Sequence, residues 1–92
     1  MEKNIRNIDV ELTQITILRL PTVLKKIGRS KSSHYADIKA GLFVKPISIG
    51  LRARGTPNYE MDAIIAARIA GKSIEEIRLL VSNLLEARKT LY

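Results

Sequence analysis

A short run of basic, hydroxyl and aromatic residues, Arg29-Ser30-Lys31-Ser32-Ser33-His34-Tyr35, is the part of the sequence best suited to bind a polyanion. A helix that begins inside this run would present free backbone amides, a cation and small hydroxyls, which can bind phosphate and reach base edges in the major groove of DNA. We therefore predict DNA contacts from the following residues: Arg29, Ser30, Lys31, Ser32, Ser33 and Tyr35, with Lys39 along the DNA backbone. The alternative is structural: Ser30 caps the helix, Tyr35 packs in the core, and the other side chains face solvent.

Two further arginines, Arg52 and Arg54, stand two positions apart in a segment predicted to be a strand. Alternate residues of a strand project from the same face, so both guanidinium groups would point to one side. Such a cationic wing can straddle phosphates or enter the minor groove, and with Lys45 it completes the predicted DNA contacts. The alternative is an edge strand that its charges protect from aggregation.

The positive charge of the chain is concentrated in one segment. Residues 19–54 contain nine Lys or Arg and a single acid, Asp37, whereas the rest of the chain contains seven bases and eight acids. The formal net charge of +7 therefore arises entirely from this segment. A local excess of this kind favours a polyanionic partner over a merely solvated basic face, which is the alternative.

The composition leaves few possibilities for catalysis or metal binding. The chain has no cysteine and one histidine, His34, which excludes a thiolate zinc site and a site with several histidines. His34 has no predicted catalytic partner, and with Asp37 three residues on we expect it to form a surface pair or to pack between helices. We predict no enzyme activity, no cofactor and no metal.

No segment approaches the ~20 apolar residues of a membrane helix, and the N-terminus lacks the apolar core of a secretory signal. We therefore expect a cytoplasmic protein without a membrane partner.

The length of 92 residues allows one small domain with an accessory helix. We predict a mainly α fold with a small β-hairpin, organised as a flexible N-terminal arm (1–15), a winged helix-turn-helix (16–71) and a C-terminal amphipathic helix (72–92). The arm shows no sustained hydrophobic period, and Ile17-Leu18 form a brief predicted strand after it.

Two short helices are predicted in the first half of the chain. The first begins at Pro21, carries an apolar stripe at helical spacing and stops at Gly28. Its stripe consists of Val23, Leu24 and Ile27. The second begins at an N-cap, Ser30, and ends at Gly41. Its apolar residues are Tyr35, Ile38 and Leu42. Two short helices joined by a few residues that include glycine are typical of a helix-turn-helix.

A hairpin is predicted over residues 45–55, with Ile47 and Ile49 on one face and Gly50 at the turn. Because Pro46 cannot donate to the ladder, it suits an edge position.

Two more helices complete the prediction. The third is capped by Thr56 or Asn58 and has an inward stripe of Met61, Ile64, Ile65 and Ile69. The fourth begins at a capping box formed by Ser73 and Glu76. Its heptad-like seam consists of Ile77, Leu80, Leu84, Ala87 and Leu91. This seam packs on the core, forms a homodimer, or does both if it leaves a strip for a partner, and two or three heptads are marginal alone.

Taken in order, these residues resemble the AlpA family of prophage regulatory proteins, which are similar to excisionases and to the DNA-binding domains of MerR-type proteins. The resemblance covers residues 17–68. It is carried by Arg19-Leu20-Pro21, Val23-Leu24, Gly28, Ser30-Lys31-Ser32-Ser33, Tyr35, Ile38, Gly41-Leu42-Phe43, Lys45-Pro46-Ile47, Ile49-Gly50, Arg52-Ala53, Pro57, Glu60 and Asp62-Ala63.

The resemblance implies a winged helix-turn-helix that binds DNA and regulates genes of integrated elements. It also implies that residues 30–35 belong to the recognition helix and Arg52 to the wing. His34, Ala36 and Thr56 depart from the residues common in that family, which bears on base specificity more than on the fold.

Three functions follow as expectations. The first is a sequence-specific regulator that binds double-stranded DNA in a phage or mobile element. The second is an excisionase that bends DNA and works with an integrase, since it would need the same surface. The third is a module whose C-terminal helix binds a partner protein.

Overall fold

The computed structural model describes residues 14–91, which form four α-helices and three short β-strands. The elements are β1 (Ile17–Leu18), α1 (Leu20–Ile27), α2 (Lys31–Lys39), β2 (Ile47–Gly50), β3 (Ala53–Pro57), α3 (Asn58–Ile69), α4 (Ile74–Ala87) and a 3-10 turn (Arg88–Thr90). The prediction of a mainly α fold with a small hairpin is confirmed. Most of the predicted arm lies outside the described residues. Within its last part, the backbone carbonyl of Gln14 accepts a hydrogen bond from the Asn58 amide at 3.3 Å.

Three helix boundaries that capping or glycine residues mark in the sequence lie where they are predicted. Gly28 ends α1 in the left-handed conformation, with φ of 72°, which glycine adopts without a steric penalty. Ser30 caps α2 by accepting a hydrogen bond from the backbone N–H of Ser33. Ser73 and Glu76 form the predicted capping box at the start of α4.

The predicted cap of the third helix is wrong. Pro57 occupies the cap position of α3 and provides no side-chain hydrogen bond. Thr56 is buried within β3, and Asn58 uses its side-chain oxygen to accept from the backbone N–H of Thr16 at 2.9 Å. Thr56 pairs with Leu18 of β1, and the partner of Asn58 lies just before that strand and 42 residues away in the sequence, so no local pattern could indicate these contacts.

The sheet has three strands because β1 joins the hairpin. The strand order is β1-β3-β2, with antiparallel pairing throughout, and Ile17 lies opposite Pro57. Gly55 permits this close approach, because a Cβ atom there would overlap the Ile17 side chain and lie 3.0 Å from the Leu18 carbonyl oxygen. The position of β1 therefore depends on the missing side chain at residue 55.

The hairpin turn is displaced by one residue from its predicted position. Gly50 is the last residue of β2, and Leu51 and Arg52 form the turn between the strands. Ser48 pairs with Arg54 and Gly50 pairs with Ala53, so a bulge lies at Ile49. Because of this bulge, Ile49 is 41% exposed instead of packing with Ile47 on a buried face.

One core holds the helices and the sheet together. Its buried members are Val23, Phe43, Val44, Met61, Ile64, Ile77 and Val81. Val23, Met61 and Ile64 confirm the predicted stripes of α1 and α3. Phe43 and Val44 come from the segment between α2 and β2, where no hydrophobic periodicity in the sequence predicts their burial.

One prediction about an apolar face is wrong, and for the C-terminal seam the structure excludes Ile77 as a dimer contact. Ile69 is 82% exposed, because it lies about 80° around α3 from Met61 at ~100° per residue. Ile77 is only 4% exposed and belongs to the core, so it is not available as a dimer contact. Leu80 and Leu84 pack partly against the same core, which corresponds to the predicted alternative for this seam. Leu91 is 36% exposed.

A buried ion pair joins the end of the chain to α3. Glu60 is completely buried, and both of its carboxylate oxygens accept from the guanidinium of Arg88, at 2.9 and 2.6 Å. Arg88 also donates to the backbone carbonyl of Lys45 at 2.8 Å. The 3-10 turn thus holds the segment that leads into the hairpin.

None of the helices within residues 14–91 combines the length and the apolar character that crossing a membrane requires.

Candidate nucleic-acid interface

The helix α2 has one exposed face and one buried face. Lys31, Ser32, Tyr35 and Lys39 are exposed, and at ~100° per residue they occupy an arc of about 100°. His34 and Asp37 are buried on the opposite side. Tyr35 is 48% exposed, so the structural alternative that it packs in the core is wrong.

The start of α2 separates the predicted contacts into two groups. Lys31 and Ser32 face solvent, whereas the Ser30 hydroxyl accepts from the Ser33 amide at 3.2 Å and is engaged as the cap. Ser33 itself is half-buried and lies outside the exposed arc. Lys31 and Ser32 are therefore the residues of this run that are best placed to reach DNA.

Arg29 is held in place by a carboxylate. Its Nε and Nη2 atoms donate to Asp37 at 3.0 and 3.1 Å, and Arg68 Nη2 lies 4.0 Å from the same carboxylate. The Arg29 side chain remains 45% exposed. Arg29 thus contributes charge beside the first turn of α2, but two of its donors are committed within the protein.

A cleft between α2 and the sheet brings the two predicted DNA-binding elements together. Tyr35 from α2 and Arg54 from β3 both line this cleft, whose volume is about 380 Å³. Its inner wall is apolar and includes Leu18, Leu20 and Ile38. One residue of the exposed face of α2, Tyr35, and the arginine of β3, Arg54, therefore border the same cleft.

Arg52 does not share a strand face with Arg54, contrary to the prediction. It lies in the turn with φ of 63°, and it is the one residue other than glycine within 14–91 that has a positive φ. This conformation costs roughly 1–2 kcal/mol for a residue with a Cβ atom. Arg52 is exposed at the end of the hairpin, and Lys45 is exposed just before β2.

His34 packs inside the protein and does not face the exposed side of α2. It is 2% exposed, and its ring meets the Phe43 ring edge-on at a centroid distance of 4.6 Å. Asp37, its predicted surface partner, binds Arg29 instead. Nδ1 of His34 has no hydrogen-bond partner among residues 14–91. Burial lowers the pKa of His34, an effect that Asp37 opposes and Arg29 reinforces.

We expect this burial to make the protein less stable in mild acid. Because the folded-state pKa is below the unfolded value of about 6.5, the unfolded chain takes up the proton more readily. The free energy of unfolding should be highest above that pH and fall as the pH drops below it, by on the order of 1 kcal/mol per pH unit. Urea unfolding between pH 7.5 and 5.5 measures this effect. His34→Leu should flatten the profile in this window, and an unchanged slope would contradict the assignment.

Similarity to a known protein connects the chain with a bacteriophage. No family model matches the chain, and no solved structure matches it. An uncharacterized protein of Enterobacteria phage P4, ORF88, is 36% identical over 62 residues, which are 67% of this chain and 70% of the phage protein. At this identity and coverage, the chain belongs to the same family as ORF88 of phage P4.

Proposed function

We propose that the protein binds double-stranded DNA through a winged helix-turn-helix and regulates genes of a phage or mobile element. In this proposal α1 and α2 are the two helices, with residues 28–30 between them, α2 is the recognition helix, and the β2–β3 hairpin is the wing. The resemblance to AlpA-type regulators agrees with this proposal. The relationship to a phage protein supports the proposal that the regulated genes belong to a phage or mobile element.

One observation carries the proposal. Tyr35, on the exposed face of α2, and Arg54 of β3 border a single cleft, so a duplex that receives α2 in its major groove would meet the hairpin beside it. Lys31 and Lys39 mark the exposed face of α2, and that face carries no acid. The acid on the other face, Asp37, is bound by Arg29.

The proposal is tested by selecting duplexes from a randomised pool with the purified protein and measuring affinity against salt concentration. Contact with about five phosphates should make log K fall with log salt at a slope of about −4 to −5. Salt-insensitive binding, or no enrichment of any sequence, would contradict the proposal.

Variants of α2 separate base recognition from general attraction. Lys31→Ala and Ser32→Ala should change the selected sequence, because these side chains are placed to reach base edges. Lys72→Ala removes the same charge from the groove between α3 and α4 and should leave the selected sequence unchanged.

A further inference from the structure

The hairpin tip carries an apolar side chain that the fold does not use. Leu51 is 95% exposed, whereas the other exposed large apolar side chains of residues 14–91 range from 36% to 82%. It is the first residue of a two-residue turn, a position where glycine, asparagine and aspartate are preferred. The second residue, Arg52, adopts a positive φ without being glycine. The tip thus satisfies neither the usual turn chemistry nor burial, and such local conflicts are expected at functional sites.

The surroundings of Leu51 combine apolar surface with positive charge. Arg52 follows it directly, Arg54 lies on the adjoining strand, and Ile49 is 41% exposed at the bulge. No acid occurs between residues 45 and 59. Proteins that kink DNA combine these two features, because cations hold the backbone while an apolar side chain enters between base pairs from the minor groove.

We propose that Leu51 is a wedge that inserts between two base pairs in the minor groove and kinks the duplex. This inference rests on the proposed DNA binding and adds the deformation of the DNA to it. Arg52 and Arg54 would bind the phosphates that flank the inserted side chain. A flexible pyrimidine–purine step is the expected point of insertion, because such steps unstack most readily.

The charges favour DNA over a second copy of the chain as the partner of the tip. Two hairpin tips that met through Leu51 would bring Arg52 and Arg54 of both copies together without an intervening acid, and like charges oppose such a contact. A duplex presents negative charge on both sides of its minor groove. A kinked duplex would also favour the excisionase role among the expected functions.

The test uses a duplex from the selection shortened to about 20 base pairs, roughly 68 Å long at 3.4 Å per base pair, labelled with a donor and an acceptor dye at its two ends. Binding of the full chain should raise energy transfer, as a kink of about 20–90° shortens the distance between the ends. The Leu51→Ala variant should bind the duplex with an affinity within about threefold of that of the unsubstituted protein. It should nevertheless lose more than half of the rise in energy transfer. Leu51→Phe should retain the rise, because it keeps an apolar wedge.

Ile69→Ala is the matched control, since Ile69 is 82% exposed on α3, outside the hairpin. It should leave both affinity and energy transfer unchanged. Three results would overturn the proposed role of Leu51 while leaving DNA binding in place. They are a duplex that stays straight, a Leu51→Ala variant that kinks it fully, and a Leu51→Ala variant whose effect is instead a change in the molecular mass of the protein in solution. Failure of every form to bind any duplex would overturn the proposed function as well.

Discussion

Arg88→Ala is expected to lower the free energy of unfolding by about 3–5 kcal/mol, the range measured when one partner of a buried ion pair is removed. The substitution leaves the Glu60 carboxylate buried without its two guanidinium donors. It also removes the donor to the Lys45 carbonyl. Equilibrium urea unfolding at neutral pH measures the loss.

Two further variants show whether the loss comes from the pair. Lys89→Ala is the matched control, because Lys89 is 73% exposed in its ion pair with Glu86 and should cost no more than about 1 kcal/mol. Combining Arg88→Ala with Glu60→Leu removes the stranded charge and should recover much of the stability. If Arg88→Ala cost no more than the Lys89 variant, the pair would not hold the 3-10 turn in place.

The second large effect is expected from the hairpin. Replacing Arg52 by Gly and Arg54 by Gln should weaken binding to every duplex by about 60-fold at 0.1 M salt, if each arginine neutralises one phosphate. The salt slope should become shallower by about 2. Arg52→Gly should not destabilise the fold, because glycine relieves the positive φ of that residue.

The control for this variant carries the same change in net charge. Lys72→Ala with Lys89→Ala removes two cations outside the cleft, and it should leave the slope within experimental error. Fluorescence anisotropy with one labelled duplex over a range of salt concentrations gives both quantities. Equal weakening by the two double variants would mean that general attraction accounts for binding and that the hairpin has no particular role.

Features that depend on neighbouring residues could be predicted well. The Ser30 cap, the left-handed Gly28 and the Ser73–Glu76 capping box each form within a few residues, so the sequence specifies them directly. The inward positions of Val23, Met61 and Ile64 follow from helical spacing. Ile69 is exposed because it lies about 80° around α3 from Met61 at ~100° per residue, a difference that the predicted stripe did not take into account.

Features that join distant segments were missed. The pairing of Glu60 with Arg88 spans 28 residues, and neither residue has a local signal that marks it as a partner. The addition of β1 to the hairpin depends on the space beside Gly55, which appears only when the strands meet. The fully buried carboxylate at residue 60 is understandable only once its partner is known.

In the candidate DNA-binding surface, some features arise within one element and others arise only where two elements meet. The sequence by itself determines that the basic charge lies in residues 19–54 and that α2 begins at a capped turn rich in cations. Both features depend only on residue type and close spacing. Packing against Phe43 and Arg29 turns His34 and Asp37 inward, and this in turn directs Lys31, Ser32, Tyr35 and Lys39 outward. The pairing register of the hairpin puts Leu51 and Arg52 into the turn, since a bulge in one strand shifts every residue beyond it. These outcomes depend on packing and strand pairing between separate elements, which the spacing of residues within one element does not specify.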